Sequence, residues 1–344
     1  MADVDYDLVI VGAGAAGLSA ATVASGLGAK VLLVDKDRVF GGECLRYGCI
    51  PSKAYIKSAA VYHTARNAGR FGVPALKETA VNLAAVRERM RGIVNILQHR
   101  CDPATLKSKY NIDTFIGHPW FNDPHEILID GKKVTMRSAI LATGSRSLIP
   151  QIEGLSDVSF ITNRQLFELD HLPASMMVVG NGPNALEAAQ TFARFGTKVT
   201  LIAGQSRLLP GEDPDVAGVI ERQLLKEKVR LILEHSIQRF ERTREGGVLA
   251  VLEGGSPQRT VEVKADIVFL AVGRQANVEA LGLENINIVP DITGIKVDAA
   301  FCTKQKNIYA VGDVNGTFPM PMRLYIRPGM RRRGRSLKWL GMWI

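Results

Sequence analysis

The chain has 344 residues, 33 of them glycine, with 46% apolar residues and a formal net charge of +9. The length suits two domains of ordinary size, and the composition fits an α/β nucleotide-binding protein and excludes a disordered chain. The charge does not make it a nucleic-acid binder, because seven basic residues (Arg323, Arg327, Arg331, Arg332, Arg333, Arg335 and Lys338) crowd the last 25 positions with no acid among them, leaving the body almost neutral.

The apolar start follows Asp3, Asp5 and Asp7 and is interrupted by glycines. It therefore reads as neither a signal peptide nor a membrane span, and the protein is expected to be cytoplasmic. "DLVIVGAGAAGLSAATVASGLGAKVLLVD" (7–35) reads as strand, glycine turn, helix, strand. Gly12, Gly14 and Gly17 form G-x-G-x-x-G: the first allows the turn, the second admits a pyrophosphate to the backbone, and the third lets helix and strand pack closely. Phosphates then meet the N–H groups at the helix N-terminus. Asp35 ends the second strand, where its carboxylate can accept from a ribose hydroxyl.

"GGECLRYGCIPSK" (41–53) holds Cys44 and Cys49. A zinc pair, a structural disulfide and a redox couple are the readings to weigh, beside two unpaired buried thiols. Zinc is disfavoured, since the spacing is C-x₄-C and no second pair exists. Five helical steps rise ~7.5 Å, whereas bridged Cα atoms lie roughly 4.4–6.8 Å apart. The pair cannot share a regular helix; "LRYG" must tighten, with Gly48 supplying freedom. Pro51 suits a first helical turn, so "PSKAYIKSAAVYHTARNAG" (51–69) is predicted helical, with Cys49 at or just before its N-terminus. The dipole there favours a thiolate. Few cysteines in a cytoplasmic chain, beside a dinucleotide site, make a redox couple the expected role.

Residues 82–100 have helical periodicity, and Arg87, Arg89, Arg91 and Arg100 read as solvated charges. "EILIDGKKVTM" predicts a hairpin through Asp130-Gly131. "SAILATGS" (138–145), "ADIVFLAVGR" (265–274) and "NIYAVGDV" (307–314) read as buried strands ending in glycine turns, the last followed by Asp313 as a hydroxyl acceptor or plain turn-former. Cys101 and Cys302 have no cysteine neighbour, and the six histidines show no metal-ligand spacing, so no metal site is expected.

"MMVVGNGPNALEAAQTFARFGTKVTLIAG" (176–204) repeats the first unit 168 residues later. Gly180 and Gly182 match Gly12 and Gly14, Ala185 replaces Gly17, and Ala203 stands where Asp35 would be. Losing that acid, with Arg207 just beyond, favours a 2′-phosphate and hence NADPH over NADH; a solvated loop charge is the plainer reading of Arg207. Two dinucleotide sites in one chain imply a nicotinamide and a flavin that meet.

These motifs, in this order, resemble the class I FAD-dependent pyridine nucleotide–disulfide oxidoreductases of the dihydrolipoamide dehydrogenase, glutathione reductase and mercuric reductase type, over about residues 5–316. "GGxCLxYGCxPSK" and "DPHEILIDGKKV" look most like the mercuric-reductase-like branch, although the extra C-terminal cysteine pair of mercuric reductase is not found. The resemblance implies an α/β fold with two Rossmann-like, three-layer (ββα/αβα) domains: an FAD domain in two pieces, 1–150 and 273–318, around an NAD(P) domain, 151–272. It implies hydride transfer from NADPH or NADH to FAD, then an electron pair to the Cys44–Cys49 disulfide, and on to a small-molecule or protein disulfide or a metal ion. Cys49 would be the flavin-proximal charge-transfer thiolate and Cys44 the interchange thiol. Lys53, paired with Glu187, would lie near flavin N5. Asp35 would hold the adenosine ribose and Asp313 the ribityl chain, with further cofactor contacts from Gly12, Gly14, Ala15, Gly17, Lys36, Gly42, Thr143, Gly144, Gly180, Gly182, Arg207, Gly273 and Gly312. Glu43 departs from the family's usual threonine, and a carboxylate near flavin phosphates is unfavourable unless it points away.

From 319 to 344 the resemblance is expected to stop. The family there has a dimerisation domain supplying a histidine–glutamate acid–base pair. Reading the codons of 320–334 two bases later can spell "A-H-A-x-V-[YH]-T-A-G-D-A-A-A-x-A", so the tail is expected to be out of frame, against the alternative of a basic membrane or nucleic-acid segment. A chain ending so would lack the family's homodimer interface and be defective, or a flavin-binding remnant.

Overall fold

The computed structural model describes residues 4–77 and 80–316. All readings of the tail, including the frameshift, the missing interface and the missing acid–base pair, lie outside the described residues.

The chain opens with β1 (Tyr6–Val11), α1 (Ala15–Gly26) and β2 (Val31–Asp35), the strand–turn–helix–strand unit expected from the glycine pattern. A short helix α2 (Gly42–Arg46) precedes the longer α3 (Cys49–Arg66). Helices α4 (Leu83–Gln98) and α5 (Pro103–Tyr110) lead to β3 (Asp113–Ile116). Then come β4 (Pro119–Asp123), β5 (Glu126–Ile129) and the long β6 (Lys132–Leu141). Asp130 and Gly131 both take positive φ (48° and 83°), so the β5–β6 turn is the two-residue hairpin the Asp-Gly pair predicts.

The first sheet has the order β3-β2-β1-β6-β5-β4. β6 serves two layers. Its second half pairs in parallel with β1, and its first half pairs antiparallel with β5. Alternation along β1 and β2 explains the layering. Val9, Val11, Leu32 and Val34 face the β4–β6 meander side with Phe121, Ile127 and Met136, whereas Ile10, Val31 and Leu33 pack with Ala21, Leu106 and Ile112 of the helical side.

After β7 (Ser145–Ser147), β8 (Phe160–Ile161) and α6 (Asn163–Leu166), the chain builds β9 (Ser175–Val179), α7 (Pro183–Phe195) and β10 (Lys198–Ile202). Helix α8 (Pro214–Lys226) and β11 (Arg230–Ile232) follow. A meander of β12 (His235–Arg242), β13 (Val248–Gly254) and β14 (Arg259–Ala265) comes next, then β15 (Ile267–Leu270) and β16 (Arg274–Ala276). The second sheet is all parallel, β11-β10-β9-β15-β8. Met177, Val179, Val268 and Leu270 pack on the meander; Met176, Val178, Leu201 and Phe269 pack on α7. Finally β17 (Ile308–Ala310) returns to pair in parallel with β6, so the first sheet is discontinuous in sequence. The fold is α/β with two Rossmann-like units, as expected.

The two units meet where α3 packs on α7. Ala54, Tyr55 and Ala59 share one apolar core with Ala185, Ala189 and Phe192. The reading of Arg87 as a solvated charge is corrected here, because its side chain is only 17% exposed against the 168–170 segment; Arg89 and Arg91 are exposed, as expected, while also reaching partners on neighbouring elements. Arg87 donates to the Leu169 carbonyl (2.9 Å) and the Asp170 carboxylate (3.0 Å). Arg89 donates to the Ala54 carbonyl (3.1 Å), and Arg91 pairs with Glu168. Arg100 is exposed, as expected.

Phe192 is 1% exposed at this seam and stands edge-on to Phe195 at 6.4 Å. Phe192→Ala is expected to cost about 3–5 kcal/mol, and urea denaturation followed by circular dichroism checks it. A loss below about 1 kcal/mol would show that the α3–α7 seam is not a consolidated core.

Candidate functional site

The sequence-predicted residues gather at the C-terminal ends of β1, β2, β6 and β17 and at the α3–α7 seam. Gly12 follows β1 at φ 107°, and a Cβ there would collide with the Ala142 carbonyl beyond β6. Gly17 packs so closely on the Gly12 carbonyl that it too has no room for a Cβ. Gly14 is the N-cap of α1 and Ala15 its first residue; neither a capping side chain nor a first-turn acid serves that terminus. The corresponding N–H groups are thus open to an anionic ligand. Gly42, at φ 61°, brings the start of α2 against Gly14, where a Cβ would lie 2.7 Å from the Gly14 Cα. The phosphate-type turn and the cysteine stretch are therefore in backbone contact.

Asp35 accepts from the Ala13 N–H (2.6 Å) and the Asp37 N–H (2.9 Å), so both oxygens brace the turn while retaining lone pairs for a ligand hydroxyl. Lys36 beside it is exposed. Thr143 and Gly144 close the β6 end through Asn277: the Thr143 hydroxyl donates to the Asn277 carbonyl (2.6 Å), and the Asn277 N–H donates to the Gly144 carbonyl (2.9 Å). Gly312, at φ 76°, sits against Ala16 at the start of α1. Asp313 accepts from the buried Ser145 hydroxyl (2.5 Å) and lies 3.4 Å from Arg274 Nε. These donors, glycines and acids suit a flavin dinucleotide.

The second unit repeats the plan. Gly180, at φ 138°, crosses against the Ala271 carbonyl beyond β15, and Gly182 caps α7 with no side-chain cap and no first-turn acid. Ala185 takes the Gly17 place, fully buried. The following loop docks on this turn through Asn181, whose carbonyl accepts from the Leu209 N–H (3.0 Å) and whose amide donates to Gln205 (2.8 Å). Arg207 lies in that loop. Its Nη2 donates to the Pro210 carbonyl (2.6 Å), while Nη1 is buried with no hydrogen-bond partner. Gly273, at φ 144°, accepts the Leu148 N–H at its carbonyl (3.0 Å).

Between the units lie the thiols. Cys44 is in α2, and Cys49 begins α3 after a break at Tyr47-Gly48, so the pair avoids a common helix as its spacing demands. The service of Gly48 is room: a Cβ there would lie 3.1 Å from the Glu43 carbonyl and 3.4 Å from the Cys44 Cα. One turn into α3, Lys53 Nζ bridges both Glu187 oxygens on α7 at 2.7 and 2.9 Å. The thiols are unequal. Hydrogen bonding to the Cys49 sulfur holds Cys44 protonated, reinforced by burial. Cys49 is lowered to about 7, first by the Cys44 S–H and, against its own desolvation, also by the Lys53 charge. Of the two, Cys49 is the more easily deprotonated.

Four residues of this site carried no role in the sequence reading. Ser145 and Arg274 link Asp313 to the interior, and Asn163 and Arg164 hold Glu43. Arg274 directly follows the strand-end glycine Gly273, the one local signal that could have marked it. Glu43 does point away from the glycine turns: it accepts from Asn163 and Arg164. Among the described residues no His/Cys/Asp/Glu group could hold a metal ion, and no helix is long and apolar enough to cross a membrane.

Residues 6–331 match the family model described as pyridine nucleotide-disulphide oxidoreductase. A dihydrolipoyl dehydrogenase of Acholeplasma laidlawii is 31% identical over 91% of this chain and 91% of its own length. A mercuric reductase of Staphylococcus aureus is 32% identical over 91% of this chain, which spans 56% of that protein. The solved HOCl-induced flavoprotein disulfide reductase RclA from Escherichia coli superposes with a TM-score of 0.78 at 27% identity, covering 91% of this chain and 67% of that one.

In the reduced protein, Cys49 is expected to react with iodoacetamide with a midpoint near pH 7, the thiolate being present above it and lost below. Cys44→Ala removes the S–H donor and should move the midpoint up toward the ordinary thiol value of about 8.5. Peptide mapping of the alkylated chain reads both, and a midpoint unmoved by Cys44→Ala would refute the S–H as its cause.

Proposed function

Because the chain belongs to the pyridine nucleotide-disulphide oxidoreductase family, whose cofactors are FAD and NAD(P)H, we propose that it reduces a disulfide through Cys44 and Cys49. The single observation that carries this is the unequal thiol pair at the α3 N-terminus, held where two glycine-turn units meet. FAD, when bound, supplies the two-electron link between NAD(P)H and the pair. Gly12, Gly14, Ala15, Gly17, Asp35, Lys36, Gly42, Thr143, Gly144, Gly312 and Asp313 would hold it. Gly180, Gly182, Glu187, Arg207 and Gly273 would hold the nicotinamide dinucleotide. The corresponding domains are 1–150 with 273–318, and 151–272; pairing of β8 with β15 and of β17 with β6 supports those limits.

The reduced pair acts by thiol–disulfide exchange. Cys44 gives up its proton, and its sulfur attacks one substrate sulfur, breaking the substrate S–S bond and releasing one thiol once a proton is taken up. The Cys49 thiolate then attacks the Cys44 sulfur of the mixed disulfide, forming the Cys44–Cys49 bond and releasing the second substrate thiol. The substrate gains an electron pair and two protons, one from Cys44 and one from solvent. Lys53, fixed by Glu187, favours the Cys49 thiolate throughout. The enzyme class is thus an oxidoreductase acting on sulfur with NAD(P) as partner, and a pair that cycles between states suits a cytoplasmic setting. A metal-ion substrate is the second reading, favoured by the name of the Staphylococcus aureus relative and by the softness of a dithiol ligand.

NADPH is preferred to NADH in this proposal. Ala203 replaces the ribose-binding acid, and Nη1 of Arg207, buried without a hydrogen-bond partner, would gain one by turning toward a 2′-phosphate.

The purified yellow chain, treated with NADPH and then denatured in DTNB, should show two thiols more than the untreated chain, and Cys49→Ser should show no gain. Absence of flavin absorbance, or no gain in the native chain, would sink the disulfide relay. Arg207→Leu should lower kcat/KM for NADPH about 10- to 100-fold while sparing NADH; steady-state kinetics with both coenzymes decides, and an equal loss for both would make Arg207 a loop brace only.

A further inference from the structure

Glu43 directly precedes Cys44, yet its bonds run away from both thiols. Its Oε1 accepts from Arg164 Nε (2.9 Å) and Nη2 (2.7 Å), and its Oε2 accepts from Asn163 Nδ2 (2.8 Å). Arg274 Nη2 stands 3.7 Å from Oε2. The carboxylate is 21% exposed, so it is shielded enough for these contacts to fix its place.

Helix α2 has five residues, too few to hold its own shape. Its anchors are well fixed. Thr162 and Gln165 form a capping box at the start of α6, and Asn163 Oδ1 accepts from the Ser147 hydroxyl (2.6 Å). The same Asn163 amide also reaches the Tyr47 carbonyl (3.1 Å). Arg164 lies over the Tyr47 ring at 5.3 Å, with Arg46 also over that ring at 4.9 Å. The link between the cysteines is therefore gripped before Cys44, at Glu43, and before Gly48-Cys49, at Tyr47. Both grips use Asn163 and Arg164.

We propose that Glu43 is a positioning residue that docks α2 on Asn163 and Arg164 and thereby holds the Cys44 S–H against the Cys49 sulfur. It touches no reacting atom and acts through its two partners. The assignment rests on Cys44–Cys49 being the reactive couple.

The groups that act on Cys49 are Cys44 from α2, Lys53 on α3 and Glu187 from α7. A Glu43 acting only as a nearby negative charge would disfavour the Cys49 thiolate, so neutralising it would make Cys49 more acidic. A positioning Glu43 gives the opposite sign. Its loss loosens the S–H donor, and Cys49 becomes less acidic.

The full chain with its flavin, reduced with dithiothreitol and desalted, is alkylated with iodoacetamide across pH, and the Cys49 adduct is counted by mass spectrometry. With Glu43→Gln the midpoint should rise by roughly half a pH unit or more, and the rate at neutral pH should fall about two- to fivefold. Arg164→Gln should reproduce the rise, and it carries the test alone if Glu43→Gln does not fold. A midpoint that falls or stays in both variants overturns the assignment. A wild-type Cys49 that titrates as an ordinary thiol overturns the redox-couple reading itself, and the role of Glu43 with it.

Discussion

The reactive centre of this chain depends on α3 lying against α7. Small residues on both helices (Ala54 and Ala59 against Ala185, Ala188 and Ala189) let the axes approach, and the Tyr55, Phe192 and Phe195 rings fill the ends of the contact. The Lys53–Glu187 pair sits at the rim of this seam, with side chains 61% and 31% exposed. An ion pair so exposed adds little stability, on the order of 0–1 kcal/mol, whereas burying one aromatic ring is worth several times that. The apolar seam therefore places the charged pair, and not the reverse. The first unit contributes the thiols and Lys53, the second contributes Glu187, and neither unit alone contains the complete site.

Within that frame, the acidity of Cys49 is a contest among five effects, one of them a backbone N–H at its own residue that also pulls it down. Burial pushes the thiol up, and the Glu187 charge pushes the same way. The Cys44 S–H and the Lys53 charge pull down. Lys53 is itself engaged by both Glu187 oxygens, which blunts its reach toward sulfur. The short-range S–H donor is consequently the largest single influence, and it falls off steeply with distance and angle. Where the acidity of one thiol answers first to a neighbouring thiol, the backbone bearing that neighbour needs to be held still. That requirement gives physical meaning to the dense contacts around a helix of only five residues.

The two nucleotide-type units were legible because their signal is local. Gly12 and Gly180 need positive φ and no Cβ, and the strand and helix flanking each are fixed by periodicity within thirty residues or so. Cys49 at a helix start was legible from Pro51 and the spacing of the pair. Glu43, Arg164 and Arg274 were not legible in their roles, because each is defined by a partner more than a hundred residues away. Arg87 of α4 was misread for a related reason. The periodicity of α4 marks an outward face correctly, but only the tertiary fold shows that Arg87 meets the 168–170 segment. The β12–β14 meander also went unread, since alternation in "SIQRFER" and "RTVEVKA" is weak beside the glycine motifs.

Arg274 explains how an acid is tolerated where the resemblance leads one to expect a neutral residue. Two carboxylates face this one guanidinium, Glu43 at 3.7 Å and Asp313 at 3.4 Å. The buried Ser145 hydroxyl accepts from Arg274 Nε (2.6 Å) and donates to Asp313 (2.5 Å), using its donor and an acceptor lone pair at once. Arg164 supplies Glu43 with two further donors on the outer side. The negative charge is thus drawn toward two guanidinium groups and away from the α1 N-terminus, where a diphosphate would carry its own. A carboxylate left free in that glycine-lined space would repel the ligand that the uncapped helix attracts. Bound in this way it instead faces, across the 3.7 Å ion pair with Arg274, the guanidinium whose Nε bonds the Ser145 hydroxyl that donates to Asp313 on the returning segment.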